Sequence, residues 1–263
     1  MFFYDLSKEE REKKCQEIQF VIEKELVSNK LTKIRGFFDD ADTYIRKAAY
    51  LAIGRLYKNK ALQTPIITAL EELIGSESEK VRQTVINAGG EIAMTDLKAV
   101  RHLFETGLFD KHHSVKNAVQ GSLKKAGQKN PKEIIKFSQK YIKHSNPEIR
   151  RQIIHGLELR GRTHPEDIVP SLRLLQFEKH KRVRPMLVHI FGQISYKKGC
   201  LEKVTAELLT WEDKKLAEEC FEEIIKQHEH ANRSLRTIKV VSAEDCKKYI
   251  EVSKKRVKQK NKK

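Results

Sequence analysis

One aliphatic residue followed by one basic residue recurs along the chain at a nearly constant interval. The pairing stands first at Ile45-Arg46, inside the stretch "DTYIRKAAYLAIGRL", where small and apolar residues follow at helical spacing. It returns every 34 to 36 residues, at Val81-Arg82, Val115-Lys116, Ile149-Arg150 and Val183-Arg184. Self-similarity at a fixed period of this length is typical of a solenoid of repeated helical units.

Each interval divides into two amphipathic helices separated by a polar break. The fourth begins with Pro131 in a first helical turn, breaks at "HSNPE" and ends near Gly161. The sequence therefore predicts an all-α, right-handed α-α superhelix of about six helix pairs over residues 1–241, followed by a helix and basic tail over 242–263. A capping helix, 7–19, starts at the capping box Ser7-x-x-Glu10. The predicted repeats are 20–58, 61–95, 97–128, 131–162, 166–198 and 201–230.

Within each second helix, positions counted from the aliphatic residue of the pair separate into two faces. Positions +4, +8 and +11 are apolar or small, as in Ala49, Ile53 and Leu56, and should form the core. Positions +2, +6, +9 and +13 lie on the opposite side, which lines the concave surface of an α-solenoid. They supply the candidate binding residues Lys47, Lys58, Gln83, Asn87, Asn117, Lys124, Arg151, His155, Glu158, Arg162, His189 and Tyr196.

The basic member of each pair lies between the core and the predicted concave face. An acid or a capping residue stands in the preceding turn, as Asp42 does before Arg46 and Glu79 before Arg82. This pattern predicts a structural ladder of ionic and capping contacts that joins adjacent repeats. Its members are Arg46, Arg82, Lys116, Arg150 and Arg184.

Four glycines also fall on the predicted concave face, where each lowers helix propensity by about 1 kcal/mol relative to alanine. They are Gly54, Gly90, Gly121 and Gly192. Two explanations are open, namely room for a partner to approach closely and tight packing between neighbouring helices.

Charge favours an acidic partner. The 263 residues carry a formal charge of +17, and nine Lys or Arg against one acid lie between Lys247 and Lys263. The four cysteines are far apart and include no C-x-x-C pair, which indicates neither a disulfide framework nor a zinc ribbon. No secretory or membrane-spanning segment is evident. We therefore expect a cytoplasmic protein with no membrane partner.

The pattern acid-x-x-x-[VI]-R-x-x-[A/V/I] resembles the second helix of HEAT repeats over most of the chain. The short 34-residue unit is similar to the HEAT-like phycobilin lyase and alkylpurine DNA glycosylase types, although nothing marks a bilin site. The glycosylase resemblance implies a concave grip on duplex DNA, with a groove Asp assisted by tryptophans and an Arg. The concave positions hold Glu158 but no Asp, and the single tryptophan is Trp211.

Candidate chemistry is sparse. His155 and Glu158 share one helix face with His189 one repeat on, but a hydrogen-bonded surface histidine explains them better than a metal site. The segment "HEH", His228 to His230, has one His-Glu step, whereas the HEAT-like deoxyhypusine hydroxylases repeat it to hold two irons. No phosphate-binding loop or nucleophile elbow occurs.

The sequence thus predicts a non-catalytic, monomeric scaffold whose basic concave face binds an acidic protein or a nucleic-acid backbone. No cofactor and no metal are expected. The alternative is a DNA-binding HEAT-like alkylpurine DNA glycosylase acting in alkylation repair.

Overall fold

The computed structural model describes residues 3–234 and 240–260, and these are folded into α-helices after a 3-10 turn at Phe3–Asp5. No strand occurs among the described residues. The helices are α1 Lys8–Val27, α2 Thr32–Asp39, α3 Thr43–Leu56, α4 Lys60–Leu73, α5 Glu79–Ala93, α6 Leu97–Leu108, α7 His113–Lys129, α8 Pro131–Tyr141, α9 Pro147–Gly161, α10 Pro165–Arg173, α11 Arg184–Ser195, α12 Cys200–Leu209, α13 Lys214–Ser234 and α14 Ala243–Lys260.

The helices belong to two compact units, Met1–Asn130 and Pro131–Lys263, called unit 1 and unit 2 below. Unit 1 holds α1 and the pairs α2/α3, α4/α5 and α6/α7, whose members pack against each other and against the adjacent pairs of the same unit. Unit 2 holds the pairs α8/α9, α10/α11 and α12/α13, followed by α14. The predicted class, an all-α fold of six HEAT-like helix pairs, is confirmed.

The first helix is longer than the sequence indicated. The predicted capping box is present, because Glu10 N donates to Ser7 Oγ and Ser7 N donates to a Glu10 carboxylate oxygen. The helix does not end near residue 19, since a buried stripe continues at four-residue spacing. That stripe consists of Ile18, Ile22 and Leu26. The helix ends only before Asn29, whose φ of 52° is left-handed, so the first helix pair starts at Thr32 rather than at residue 20.

At the other end of the chain, α14 packs against α12 and α13. It buries Cys246 and Ile250, and Lys254 pairs with Glu218 at 2.5 Å while its ammonium lies over the Phe221 ring. Most of the predicted basic tail is therefore helical. Residues 261–263 lie outside the described residues.

The predicted core positions are confirmed in both units. Ala49 and Ile53 are fully buried in α3, and Leu187, Phe191 and Ile194 are fully buried in α11. Each second helix thus turns its apolar stripe inward and leaves positions +2, +6, +9 and +13 for the other face.

All four cysteines are free thiols, and only Cys15 is partly exposed. Among the described residues, no helix combines the length and the hydropathy that a bilayer-spanning segment requires. The cytoplasmic location and the monomeric state stay predictions.

Three members of the predicted ladder share one geometry. Each guanidinium donates to backbone carbonyl oxygens of the turn that precedes its own helix, and also to a carboxylate of the following repeat. The three pairs are Arg82 Nε to Asp110 Oδ2 at 2.7 Å, Arg150 Nε to Glu178 Oε2 at 2.7 Å and Arg184 Nε to Glu219 Oε2 at 2.8 Å. Because the second guanidinium nitrogen reaches the other carboxylate oxygen, each contact is a bidentate fork.

The paired acids are not those that the sequence suggested. Asp42 instead accepts from the backbone N–H groups of Phe3 and Tyr44, and Arg46 reaches only oxygens of its own turn and helix start. The missing element for Arg46 is the acid, because Ser76 stands where the next repeat has Asp110. Lys116 makes no ladder contact within the described residues.

The forks shift the ionisation of the acids. Burial alone raises the pKa of Asp110, but hydrogen bonds from Arg82 and from the backbone N–H of His112 outweigh it and hold the pKa below its usual range. The pKa of Glu178 is lowered by the same balance, with Arg150 as the donor. Both acids are therefore ionised partners that join one repeat to the next.

Candidate functional site

Unit 1 contains a cleft of about 740 Å³ between α3 and α5. Its floor is apolar and is formed by Leu51, Ile92 and Met94, while Lys58 and Lys129 line its edge. Two of these residues, Lys58 and Met94, occupy the +13 position of consecutive second helices. The cleft therefore lies on the predicted concave side of unit 1.

Two glycines, Gly54 and Gly90, allow the helices around the cleft to approach each other closely. A Cβ on Gly54 would overlap the Glu91 side chain, and one on Gly90 would overlap Ser122 of α7. Ser122 Oγ donates to Ile86 O, so this close approach carries a hydrogen bond between neighbouring helices. Of the two explanations left open by the sequence, tight packing between neighbouring helices therefore accounts for Gly54 and Gly90.

Gly121 is different, because no described atom beyond its chain neighbours and the adjoining backbone of its own helix lies within 4 Å of where its Cβ would be. It lines a second, smaller cavity of about 230 Å³ together with Tyr50, Asn87 and Lys125. Asn87 and Gly121 are the +6 residues of consecutive repeats, so the structure brings this predicted column together.

The acids that line the large cleft are already engaged. Glu91 pairs with Lys125, and Asp96 accepts from Tyr57 Oη at 2.9 Å and from Ala99 N at 3.1 Å. Burial, followed by the hydrogen bond to Asp96, raises the pKa of Tyr57 to about 12, so this phenol stays protonated. Glu91 is therefore neutralised by Lys125, whereas Asp96 keeps its charge and has both carboxylate oxygens occupied by neutral donors.

Three lysines on this side of unit 1 differ from these acids. In the described part of the chain, the side chains of Lys47, Lys58 and Lys129 have no hydrogen-bond or ion-pair partner. Arg55 donates Nε to Gln19 Oε1 at 2.6 Å. We call this exposed side of α3, α5 and α7 the unit-1 face; its predicted site residues are Lys47, Lys58, Gln83, Asn87, Asn117 and Lys124. Asn117 and Lys124 already have partners within the chain.

The corresponding side of α9 and α11, the unit-2 face, carries the predicted residues Arg151, His155, Glu158, Arg162, His189 and Tyr196. Here the structure ties side chains to one another. Glu158 is only 4% exposed, and its carboxylate lies 3.0 Å from His155 Nε2 and 2.5 Å from Arg162 Nη2. Arg151 is likewise paired, with Glu148 at 2.7 Å.

This network continues onto the neighbouring helices. Arg162 donates to Gln193 Oε1 at 2.5 Å, Gln193 donates to Gln227 Oε1 at 2.8 Å, and Gln227 donates to Glu223 Oε1 at 2.8 Å. His189 stands 4.0 Å from the same Glu223 oxygen. The unit-2 face therefore links α9, α11 and α13 through a network that engages the predicted binding residue Arg162 and places His189 beside Glu223.

Trp211 and His228, which the sequence offered as further candidates for chemistry, are buried in the core. Trp211 is fully buried and packs edge-on against Phe191 at a centroid distance of 5.0 Å. His228 is also fully buried, its Nδ1 is 2.9 Å from Ile224 O, and burial lowers its pKa. Within residues 3–234 and 240–260, no group of three His, Cys, Asp or Glu side chains could hold a metal ion.

Sequence reasoning missed the features that decide which positions are free. Gln193, Gln227 and Glu223 were not candidates, yet they close the unit-2 network. Lys129 was also missed, because it lies one helical step beyond the +13 position. The unbroken helical pattern through the end of α7 could have indicated it.

Several solved structures are similar to this chain in fold. The N-terminal domain of MAST/Orbit superposes with a TM-score of 0.51 at 15% identity, covering 73% of this chain and 96% of that one. The chain has a HEAT-like helical-repeat fold. Further similar structures are AlkD2 from Streptococcus mutans, with a TM-score of 0.48, 17% identity and coverage of 65% and 96%, and the Pds5-Scc1 complex, with a TM-score of 0.45, 17% identity and coverage of 76% and 33%.

No protein-family model matches this HEAT-like chain, and no curated protein matches it in sequence. At these identities the likeness concerns the fold alone. The functional evidence therefore lies in the side chains of the unit-1 face and the unit-2 face.

Proposed function

We propose that the chain is a non-catalytic interaction scaffold that binds an acidic protein segment on the unit-1 face. The observation that carries this is an apolar cleft in which Lys125 neutralises Glu91 and neutral donors occupy Asp96, while Lys58 and Lys129 have no partner within the described residues. An apolar floor suits one buried hydrophobic side chain, and the free ammonium groups suit flanking carboxylates. Lys47 extends the positive charge along α3.

A protein segment fits this cleft better than a nucleic-acid backbone does. Phosphate contacts require cations and hydrogen-bond donors, but they gain nothing from Leu51, Ile92 and Met94 on the floor. A peptide that carries a leucine or phenylalanine between acidic residues uses both parts of the site.

The glycosylase alternative has less support. The resemblance requires a tryptophan and a carboxylate in a groove, whereas Trp211 is buried in the core and the Glu158 carboxylate is held by Arg162 and His155. Neither side chain is placed to meet a substrate.

The test is a binding titration with a short labelled peptide of Glu and Asp that carries one central Leu-Phe pair. The double variant K58E/K129E should weaken binding about tenfold or more, because two attractive contacts become repulsive. A second peptide without the Leu-Phe pair should bind more weakly to the natural chain.

The matched control is K13E/K30E, which makes the same change of net charge at two exposed lysines of unit 1 away from the cleft. Equal weakening by both double variants would reduce the effect to net charge and overturn the site. Equal binding of the two peptides would overturn the apolar anchor.

A further inference from the structure

The connection between α10 and α11 differs from the other helix-pair connections. It spans residues 174–183, whereas the connections of the other five pairs are 40–42, 74–78, 109–112, 142–146 and 210–213. The 34-residue period is nevertheless kept between Ile149 and Val183, because α10 is short. The additional loop residues therefore replace helix and place "LLQFEKHKRV" at the edge of unit 2.

This loop is fixed on both sides of one aromatic residue. Gln176 Oε1 accepts from Glu212 N at 2.8 Å, in the connection of the next repeat. The Glu178 carboxylate accepts from Arg150 and from His180 N at 2.8 Å, and its carbonyl accepts from Arg184 at 3.0 Å. Phe177 stands between these two anchored residues.

The Phe177 side chain is 57% exposed. Its two neighbours are held by hydrogen bonds to the repeats on either side, so the segment that carries the ring is anchored on both sides. Its neighbour Leu175 is buried and supports the loop from below. Leu174 of the same loop is exposed as well, and exposed apolar residues are common on protein surfaces, so the meaning of Phe177 depends on what surrounds it.

Cations without a partner in the described part of the chain lie in the same loop and in the neighbouring connection. Lys179 and Lys181 lie in the same loop and, within the described residues, their ammonium groups have no partner. The neighbouring connection, 142–146, adds Lys143, which is also exposed and unpaired. The two connections are adjacent, as shown by the Arg150–Glu178 fork and by Arg182, whose Nη2 lies 3.5 Å from Glu148.

An exposed aromatic ring in a loop that also carries exposed lysines matches the requirements of single-stranded nucleic acid. Bases of a single strand expose faces that stack on aromatic side chains, while ammonium groups neutralise the phosphates between them. A duplex hides its base faces and would leave Phe177 unused.

We propose that the 174–183 loop, together with Lys143, binds single-stranded nucleic acid, with Phe177 stacking on a base and Lys143, Lys179 and Lys181 contacting phosphates. This surface lies in unit 2 and shares no residue with the cleft of unit 1. The two binding activities are therefore separable by mutation.

The experiment is a fluorescence titration of the full chain with a labelled oligothymidylate of about 16 nucleotides, repeated across a salt series. Phe177→Ala should weaken binding by about 5- to 100-fold while leaving the salt dependence unchanged, because stacking is not ionic. The triple variant K143Q/K179Q/K181Q should lower the slope of log affinity against log salt by about 2, since each phosphate contact to a single strand contributes about 0.7.

The matched control is K13Q/K30Q/K98Q, which removes three exposed lysines of unit 1 and should leave affinity and slope as they are. Melting curves verify that each variant is folded. Full affinity in Phe177→Ala, a slope that changes equally in both triple variants, or binding of phosphatidylserine vesicles without binding of the oligonucleotide would each overturn the proposal. A duplex bound as tightly as the single strand would do so as well.

The acidic-peptide titration provides the separation. K143Q/K179Q/K181Q should bind the acidic peptide like the natural chain, and K58E/K129E should bind the oligonucleotide like the natural chain. Failure of either site then leaves the other measurable.

Discussion

The unit-1 face and the unit-2 face come from equivalent helical positions, but the cations on them differ in whether they have partners. On the unit-1 face Lys58 and Lys129 border an apolar cleft without partners of their own. On the unit-2 face the cation Arg162 is held by Glu158 and Gln193. A repeat therefore determines where a side chain points, whereas its neighbours in space determine whether it can bind anything else.

The difference has an energetic side. Glu158 is almost fully buried, and an unpaired carboxylate there would cost several kcal/mol, so His155 and Arg162 stabilise unit 2 by remaining where they are. Lys58 has no such duty in unit 1. Because Lys58 has no structural role, its charge is available for contact with a partner.

The largest expected effect tests what the two units share, namely the arginine ladder. Arg82→Ala in unit 1 and Arg150→Ala in unit 2 should each lower the free energy of unfolding by about 3 kcal/mol, because each leaves a buried carboxylate without its fork. Urea unfolding of both variants measures this.

Arg46→Ala is the matched control, since Arg46 has no acid in the following repeat, and it should cost about 1 kcal/mol. A loss for Arg46→Ala as large as that for Arg82→Ala would show that the acids contribute little. The hydrogen bonds to the turn carbonyls would then account for most of what each arginine contributes to stability.

The next effect tests what separates the units. Glu158→Gln keeps the shape of the side chain but removes the charge that holds Arg162 and His155, and should lower the free energy of unfolding by about 2 kcal/mol. Lys58→Gln on the unit-1 face should change stability by less than about 0.5 kcal/mol. Thermal melts of the two variants side by side would contradict the comparison if the shifts were equal.

Acid should weaken the ladder in both units alike. The forks lower the pKa of Asp110 and Glu178 in the folded chain, so their contribution is complete above the unfolded value of about 4 and is lost as pH falls through the folded-state pKa. The stability advantage of the natural chain over Arg82→Ala should therefore shrink as pH drops below about 4. Urea midpoints for both proteins across that range measure it, and an advantage that did not change with pH would contradict the ionic account.

Much of the fold could be predicted from the sequence, and less of the site could. The aliphatic-basic pair fixed the helical phase, so the buried positions Ile53 and Phe191 were assigned correctly. The extent of α1 was not, because its stripe at Ile18, Ile22 and Leu26 resembles the start of a repeat.

The site depended on contacts between residues far apart in sequence. Nothing local to Arg162 indicates that Gln193 of another repeat accepts its hydrogen bond, and nothing local to Arg82 indicates Asp110. Helical periodicity gives directions around one helix axis. It contains no information on which side chain of the neighbouring helix meets a given residue.

Two kinds of glycine occur on the unit-1 face, one with space for a methyl group and one without, and substituting them should change stability least. Gly121→Ala should raise the free energy of unfolding by about 0.5–1 kcal/mol, because alanine favours the helix and no atom lies within 4 Å of the added methyl group. Gly54→Ala should lower stability instead, since its methyl group would overlap Glu91. Paired melts give the sign of each change, and a loss of stability in Gly121→Ala would mean that the cavity beside Asn87 is closed by contacts in solution. If Gly121→Ala is more stable but binds the acidic peptide less well, this glycine serves the partner, and the binding surface extends from Lys58 across to Gly121.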